Sequence, residues 1–526
     1  MKALIVGSGM SALGAALAAS REDVLFDVID IGENLPAPLS ATKERLKRTP
    51  VALWPEAHHD SQANEQAPPG RPKFGVEKSI LGSTFFLSNR FPCDDEGRAK
   101  RFAPSSDARG GMAAGWGASS LPIDRTTAEE WRRSGIDLTE AYQSILHILP
   151  YSFAADKLSE VFPSFSETPD TFEAAAGAST FIKRLESATQ FEKFMVCGRA
   201  RLLLDTSPSG CVGCGRCMSG CVFDAIFNPY RLLAKLVASS GGTLHSGFRI
   251  RSLTETDGGV RLLAEADHGS QEFGPYDLVL LATGPFSTWT ILSESGVLND
   301  SATVQARSGF QFVGFDIAAA RAGQRPGLLG AKNAGPTNTL ATAFIEIDRA
   351  FVGTPIHVQV SFRNELVAKA IRYVFRPRLL AGLARAFASR VRVFSVNFGM
   401  QKSGRYKISR GPSGSVAPSI RFFPARLGAA NFGRLSAKLF KICIKARVIP
   451  VPFFRGNSGS YHVGSTLDNM GNPVFGTDGE VPGLGLTRVV DTSVLPELPS
   501  STLALTSAAN AFRIAGKVLG LAKARG

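Results

Sequence analysis

The fold class predicted is α/β with more than one domain, and three observations predict it. The chain has 526 residues, several times a usual domain length. Its 53 glycines exceed ordinary usage and favour an enzyme-like chain with many tight backbone turns. Its N-terminus reads as a strand, a glycine turn and a helix in immediate succession. Hydrophobic residues at 44% and charged residues at 20% exclude disordered, collagen-like and coiled-coil chains. No uncharged apolar run approaches the roughly 18 residues of a membrane span, so no transmembrane helix is expected.

The first element is Ala3–Val6, an apolar run suited to a buried strand. Gly7-Ser8-Gly9-Met10-Ser11-Ala12 follows, then a stretch rich in Ala and Leu. This is G-x-G-x-x-A at a strand-to-helix turn. Gly7 permits the turn, Gly9 admits a pyrophosphate to the backbone, and Ala12 lets helix and strand pack closely. Met10 and Ser11 open the helix, whose free N–H groups and positive dipole end face the phosphates. A second apolar run, Val24–Ile31, carries Asp30. A carboxylate about 20 residues beyond the glycines binds ribose hydroxyls. A cleaved leader peptide is the competing reading of Lys2 to Ser20, but cleavage would delete the first strand.

Further along, residues 35–75 are Pro-rich with mixed charge and read as loop. Ile136–Tyr151 reads as helix, and Phe344–Phe362 as strands. Tyr276–Gly284 reads as a buried strand ending in a small-residue turn, suited to return beside the nucleotide. No internal repeat is present.

Charge is unevenly placed. The formal net charge is +14, yet Leu366–Leu467 holds 19 Lys or Arg and no acid, leaving 40 basic and 45 acidic residues elsewhere. Leu366–Arg392 reads as two short basic amphipathic helices parted by Pro377, and Leu435–Arg447 repeats the character. Such helices suit an anionic membrane surface. A solvated helix face or a field for an anionic substrate is the competing reading. No recognition motif supports nucleic acid.

Four of the seven cysteines fall within eleven residues: Cys211, Cys214, Cys217 and Cys221. A disulfide framework would spread them, so clustering indicates metal or redox chemistry in a reducing compartment. C-x₂-C-x₂-C-x₃-C is the spacing of bacterial ferredoxins, and it predicts a 4Fe-4S or 3Fe-4S iron–sulfur cluster. Either Cys221 folds back onto that cluster, or Cys197 completes a four-iron site. Val222 stands where those proteins have proline. Zinc, which usually takes two Cys pairs across a longer loop, and unmetallated thiols are the alternatives.

Several blocks in order resemble the glucose–methanol–choline (GMC) family of FAD-dependent oxidoreductases. They are Gly7–Ala12 with Asp30, then Gly110–Ala118, then Ala282-Thr283-Gly284, and last Tyr461–Thr466 through Val489–Ser493 to a final helix around Ala511–Ala515. The resemblance implies a Rossmann-like FAD-binding domain of the GMC or glutathione-reductase type, with an α+β substrate domain built on an antiparallel sheet. The FAD domain would take 1–34, 75–125, 195–296 (with the Cys-rich loop 197–225) and 480–526. The substrate domain would take 126–194 and 297–479, with the basic region 366–455.

By the same resemblance, Gly111, Gly115, Trp116, Ala282, Gly284, Asp491 and Ser493 lie along the FAD. His462 takes the hydroxyl proton of an alcohol while hydride leaves for the flavin. An imidazole suits that role. Gly464 and its small neighbours would let the flavin ring come close. Thr502 stands where relatives carry a second His or Asn, so it can hydrogen-bond the substrate oxygen while His462 alone takes the proton. The other six histidines read as structural. No His lies in Gly110–Ser120, so the FAD is expected to be non-covalent.

The layout is similar to bacterial sugar dehydrogenases with an iron–sulfur loop. It implies a sugar or sugar-like secondary alcohol oxidised to a carbonyl, with electrons passing to a ferredoxin, cytochrome or quinone-linked acceptor. The expected location is cytoplasmic, with peripheral contact at the inner membrane face. The competing readings are a non-redox lyase or isomerase on the same fold, an oxidase without a cluster, and an electron-transfer module.

Overall fold

A computed structural model gives the fold. It describes residues 1–54, 80–94, 101–165, 177–298, 301–319, 339–362, 390–399, 404–411, 418–456 and 461–523, apart from positions 82, 89 and 426. The basic segment 366–389, with the expected break at Pro377, lies outside the described residues.

The expected N-terminal unit forms. Strand Lys2–Val6 leads through the glycine turn into helix Met10–Arg21, and strand Leu25–Asp30 returns parallel to the first, Ala3 facing Phe26. Strand Leu278–Leu281 pairs parallel on the other side, Ala3 facing Leu278. Leu244–Ser246 and Thr487–Val489 complete a five-stranded parallel sheet. Buried on both faces, its strands read as continuous apolar runs such as Leu278-Val279-Leu280-Leu281. The C-terminal helix Ala504–Lys523 packs on the first helix. Gly14 makes this approach close, since a Cβ there would lie 2.0 Å from the Ala508 carbonyl oxygen. An antiparallel sheet of Arg249–Thr256, Gly259–Ala266 and Gly269–Tyr276 adds to the same core.

A second core lies under a six-stranded sheet. Its strand order is Val448–Gly456, Gly309–Asp316, Val391–Phe398, Ile356–Ser361, Ala341–Ile347 and Met195–Arg199, antiparallel throughout. Helices Ala178–Thr189 and Ala429–Lys445 cover one face, burying Phe181, Leu185, Leu435 and Leu439 against Phe312, Phe394 and Val358. The alternation buried-then-partly-exposed along Gly309–Asp316 is that of a sheet with one packed face. A further six-stranded sheet contains Val463–Leu467, Ala302–Ala306, Gly404–Ser409 and Ser419–Phe423. The expected mix of a parallel nucleotide-type sheet and antiparallel sheets is what the chain adopts.

Two expectations are corrected. Residues 35–75 are not loop throughout, because Ala37–Arg48 is a helix. Pro36 caps it and Pro38 lies in its first turn, where the missing N–H costs nothing. Its Leu39 and Leu46 are buried in a small core with Trp54 and Val222. The helix expected at Ile136–Tyr151 spans only Thr139–Ile148.

Candidate active site

The carboxyl ends of Lys2–Val6, Leu25–Asp30 and Leu278–Leu281 open into a cavity of about 320 Å³. Ligand sites of doubly wound sheets lie at this place. Gly7, Ser8, Gly9, Met10, Ser11 and Asp30 line one part of it. Gly110, Gly111, Gly115 and Trp116 line another, with Ala282, Gly284 and Asp491 beside them. His462 and Thr502 border the same space. Blocks more than 450 positions apart in the chain thus share one wall.

The glycine turn has the geometry its spacing predicts. Gly7 sits at φ +109°, and a Cβ would lie 2.6 Å from the Ala282 carbonyl oxygen. Helix Met10–Arg21 starts at Gly9 with no side chain capping its first turn, so its N–H groups are left for an anion. Ala12 is fully buried behind the cavity, as close helix–strand packing requires.

Asp30 accepts a hydrogen bond from the Ser8 hydroxyl, and Ser8 Oγ in turn accepts from Gly110 N–H at 3.0 Å. One serine therefore joins the two glycine-rich segments to the acid. Burial pushes the Asp30 carboxyl up to about 7, with the Ser8 bond opposing and Asp107 assisting the rise. Glycine backbone that a Cβ would crowd, an uncapped helix start and a carboxyl at the far end fit a dinucleotide such as FAD. Gly7–Ser11, Asp30 and Gly111 could hold it.

Asp491 lines the cavity and also braces it. Its carboxylate accepts from Gly284 N–H at 2.9 Å, from Ser493 N–H at 2.8 Å and from the Thr288 hydroxyl. It ties two cavity-lining turns together, and burial raises its pKa. Ser493 is buried and stands behind the cavity wall.

At the other end, His462 precedes strand Val463–Leu467, and its carbonyl accepts from Arg307 N–H at 3.0 Å. Thr502 Oγ accepts from Leu121 N–H at 2.6 Å, which leaves its own hydrogen as a donor. A Cβ at Gly464 would lie 2.6 Å from the Thr492 carbonyl oxygen, so this glycine lets two backbone segments touch. His357, expected to be structural, is fully buried and 2.5 Å from Glu346.

Sequence reasoning missed several residues. Arg90, Asp107 and Arg249 line the cavity as a charged cluster, with Arg249 3.0 Å and Arg90 3.7 Å from Asp107. Burial lowers Arg90 to about 10. Arg307 is buried, pushed down to about 9 by burial, and donates to the Ser500 and Ser501 carbonyls. It thus clamps the chain before Thr502 to the chain carrying His462. These are single residues with no local pattern, so nothing in the sequence marked them.

The cysteine loop is closed at its base, where Asp205 N–H donates to Ala225 O at 2.8 Å and Cys211 N–H to Asp205 O at 2.9 Å. No disulfide joins any two of the seven cysteines. Cys217 and Thr339 bond each other twice, Cys217 N–H to the threonine hydroxyl at 3.1 Å and Thr339 N–H to Sγ at 3.4 Å. Burial raises the Cys211 thiol, with Gly213 N–H opposing and Cys221 adding.

Among the described residues, no three His, Cys, Asp or Glu side chains gather where they could hold a metal ion. Cys211, Cys217 and Cys221 pack against one small core and Cys214 against another. Cys197, the alternative to Cys221 as fourth ligand, lies in a different core from the loop. It is fully buried in the core under the six-stranded sheet, whereas its neighbour Val196 packs against the same core as Cys211, Cys217 and Cys221. Adjacent side chains of a strand point to opposite faces.

No protein-family model and no curated protein matches this sequence. Solved structures do. The chain is similar to pyridoxine 4-oxidase from Mesorbium loti at 14% identity, over 98% of both chains, with a TM-score of 0.55. It is similar to an FAD-dependent oxidoreductase from Chaetomium thermophilum at 11% identity, over 99% of both chains, with a TM-score of 0.56. Likeness at such identity shows the shared fold.

Proposed function

We propose that this protein is an FAD-dependent oxidoreductase that oxidises an alcohol to a carbonyl. The observation that carries the reading is one cavity bordered at once by the dinucleotide cradle and by His462 and Thr502. Structural neighbours named for FAD-dependent oxidation or as an oxidase support it. Gly7–Ser11, Asp30 and Gly111 hold the cofactor. FAD, when bound, would take hydride from the carbinol carbon.

The chain's own work is positional and acid–base. Thr502 donates its hydroxyl hydrogen to the substrate oxygen, which holds the alcohol in place. His462 then receives the alcohol proton on its imidazole. Arg307 keeps the segments bearing these two side chains in register. The resemblance supports a sugar or sugar-like secondary alcohol.

The acceptor divides two readings. The C-x₂-C-x₂-C-x₃-C spacing supports an external acceptor reached through an iron–sulfur centre. A neighbour named an oxidase favours a second reading, an oxidase without a cluster.

The test is anaerobic mixing of the purified flavoprotein with a panel of sugars and alcohols. An active alcohol should bleach the flavin. His462→Asn should slow bleaching about 10²–10⁴-fold with FAD content unchanged. Bleaching at the parent rate in that variant would overturn the role of His462. Iron and sulfide analysis, with peroxide measured in air, separates the two acceptors.

A further inference from the structure

The six-stranded sheet that carries Ile356–Ser361 turns Phe312, Val358, Val360 and Phe394 towards its covering helices. The side chains that alternate with these point to the other face. Two rows cross that face from strand to strand. One is Glu346, His357 and Asn397, and the next is Phe344, Gln359, Ser395 and Gln311.

The first row is closed on itself. His357 Nδ1 lies 2.5 Å from Glu346 Oε1, and Asn397 Nδ2 donates to the His357 carbonyl at 3.4 Å. All three residues are buried. The second row is half-buried beyond Phe344. Gln311 Nε2 donates to Ser395 Oγ at 3.0 Å. Gln359, directly opposite Ser395, has no hydrogen-bond partner for its amide among the described residues. Among those residues it is also the one member of this sheet that lines the cavity bordered by His462 and Thr502. Backbone bonds tie the sheet to the His462 segment. Arg307 N–H donates to the His462 carbonyl at 3.0 Å, and Phe398 N–H donates to the Ser308 carbonyl at 2.9 Å.

The chemistry of the row narrows what it can meet. A side-chain amide offers two N–H donors and one carbonyl acceptor, which matches a hydroxyl that both donates and accepts. A half-buried amide without a partner is costly until a ligand or water takes its bonds. The row has no charge, since Ser395 and Gln311 flank Gln359 and the one acid of the adjacent row is engaged by His357. A carboxylate, phosphate or ammonium placed here would leave water without a counter-charge, whereas a neutral hydroxyl would not.

We infer that Gln359 is a specificity-determining residue that binds a second hydroxyl of the substrate, away from the carbinol whose proton His462 takes. The substrate is then a neutral polyol, and sugar acids and sugar phosphates are discriminated against. This inference rests on the alcohol-oxidation reading of the same cavity. The test is anaerobic flavin bleaching in the full-length, FAD-loaded protein. The probes are the neutral sugar of the panel that bleaches fastest, each of its monodeoxy analogues, its uronic acid, and cyclohexanol. In the parent, at least one deoxy analogue should lose about tenfold in kcat/KM, chiefly through KM, and the uronic acid should lose more. Gln359→Leu should bring the ratio between that sugar and that analogue to about one, with FAD content unchanged. Ser395→Ala, one strand away and outside the cavity lining, should keep the parent ratio. If Gln359→Leu keeps the ratio, if both variants lose it, or if cyclohexanol or the uronic acid bleaches as readily as the sugar, this inference falls while alcohol oxidation stands. If no sugar or alcohol bleaches the parent flavin, alcohol oxidation falls and this inference with it.

Discussion

The glycine turn at Gly7–Ala12 and the cysteine loop at Cys211–Cys221 are both short motifs with well-known spacings, and the structure treats them differently. At the turn, spacing and geometry coincide: Gly7 adopts positive φ against Ala282 and the helix starts uncapped at Gly9. In the loop, the four cysteines at ferredoxin spacing are divided between two small cores, and no metal-holding group forms among the described residues. The difference lies in what supplies the geometry. A glycine turn carries its function in backbone conformation, which local sterics decide. Thiols have no mutual attraction, so a metal site draws its shape from the free energy of metal binding.

The sharpest way to break the comparison is Gly7→Val. Strain at positive φ costs about 1–3 kcal/mol, and the 2.6 Å approach to Ala282 forces the turn apart. The purified variant should retain no FAD by absorbance. Retention at parent levels would mean that the turn does not hold the cofactor.

Asp30 gives the next effect. Between the ordinary carboxylate range and about 7, the folded chain without ligand keeps a proton here that the unfolded chain has lost. Its contribution to stability is therefore present at low pH and falls as pH rises through that window. Ribose hydroxyls prefer the ionised acid, so FAD affinity should strengthen as pH rises through about 7. Asp30→Asn should weaken FAD about tenfold and abolish both trends, as read by fluorescence titration and by melting temperature across pH.

The smallest effect is expected from Cys214→Ser. FAD content and the rate of flavin bleaching by substrate should stay within about twofold of the parent, because serine conserves the volume and the loop's base is held by backbone bonds. A large loss of FAD would show that the loop needs a bound metal to support the cradle, and would draw the two motifs together.

Much of the nucleotide end was legible because each of its parts is local. A period of apolar residues, a glycine spacing and an acid about 20 residues on describe a unit that folds by its own sterics. The helix at Ala37–Arg48 was hidden by its prolines, which occupy its cap and first turn rather than interrupting it. Arg90, Asp107, Arg249 and Arg307 were invisible for another reason. Each has meaning only through partners far away in sequence, such as Arg307 with Ser500 and Ser501.

By itself the sequence determined the α/β class, the dinucleotide turn with Asp30, and the one-signed stretch from Leu366 to Leu467. Tertiary structure alone decided that His462 and Thr502 border the same cavity as Gly7, that Asp491 ties two turns, and that Cys197 faces away from the cysteine loop. Backbone sterics act between neighbours and can be read along the chain, whereas convergence of distant side chains depends on how the sheets stack, which no local spacing encodes.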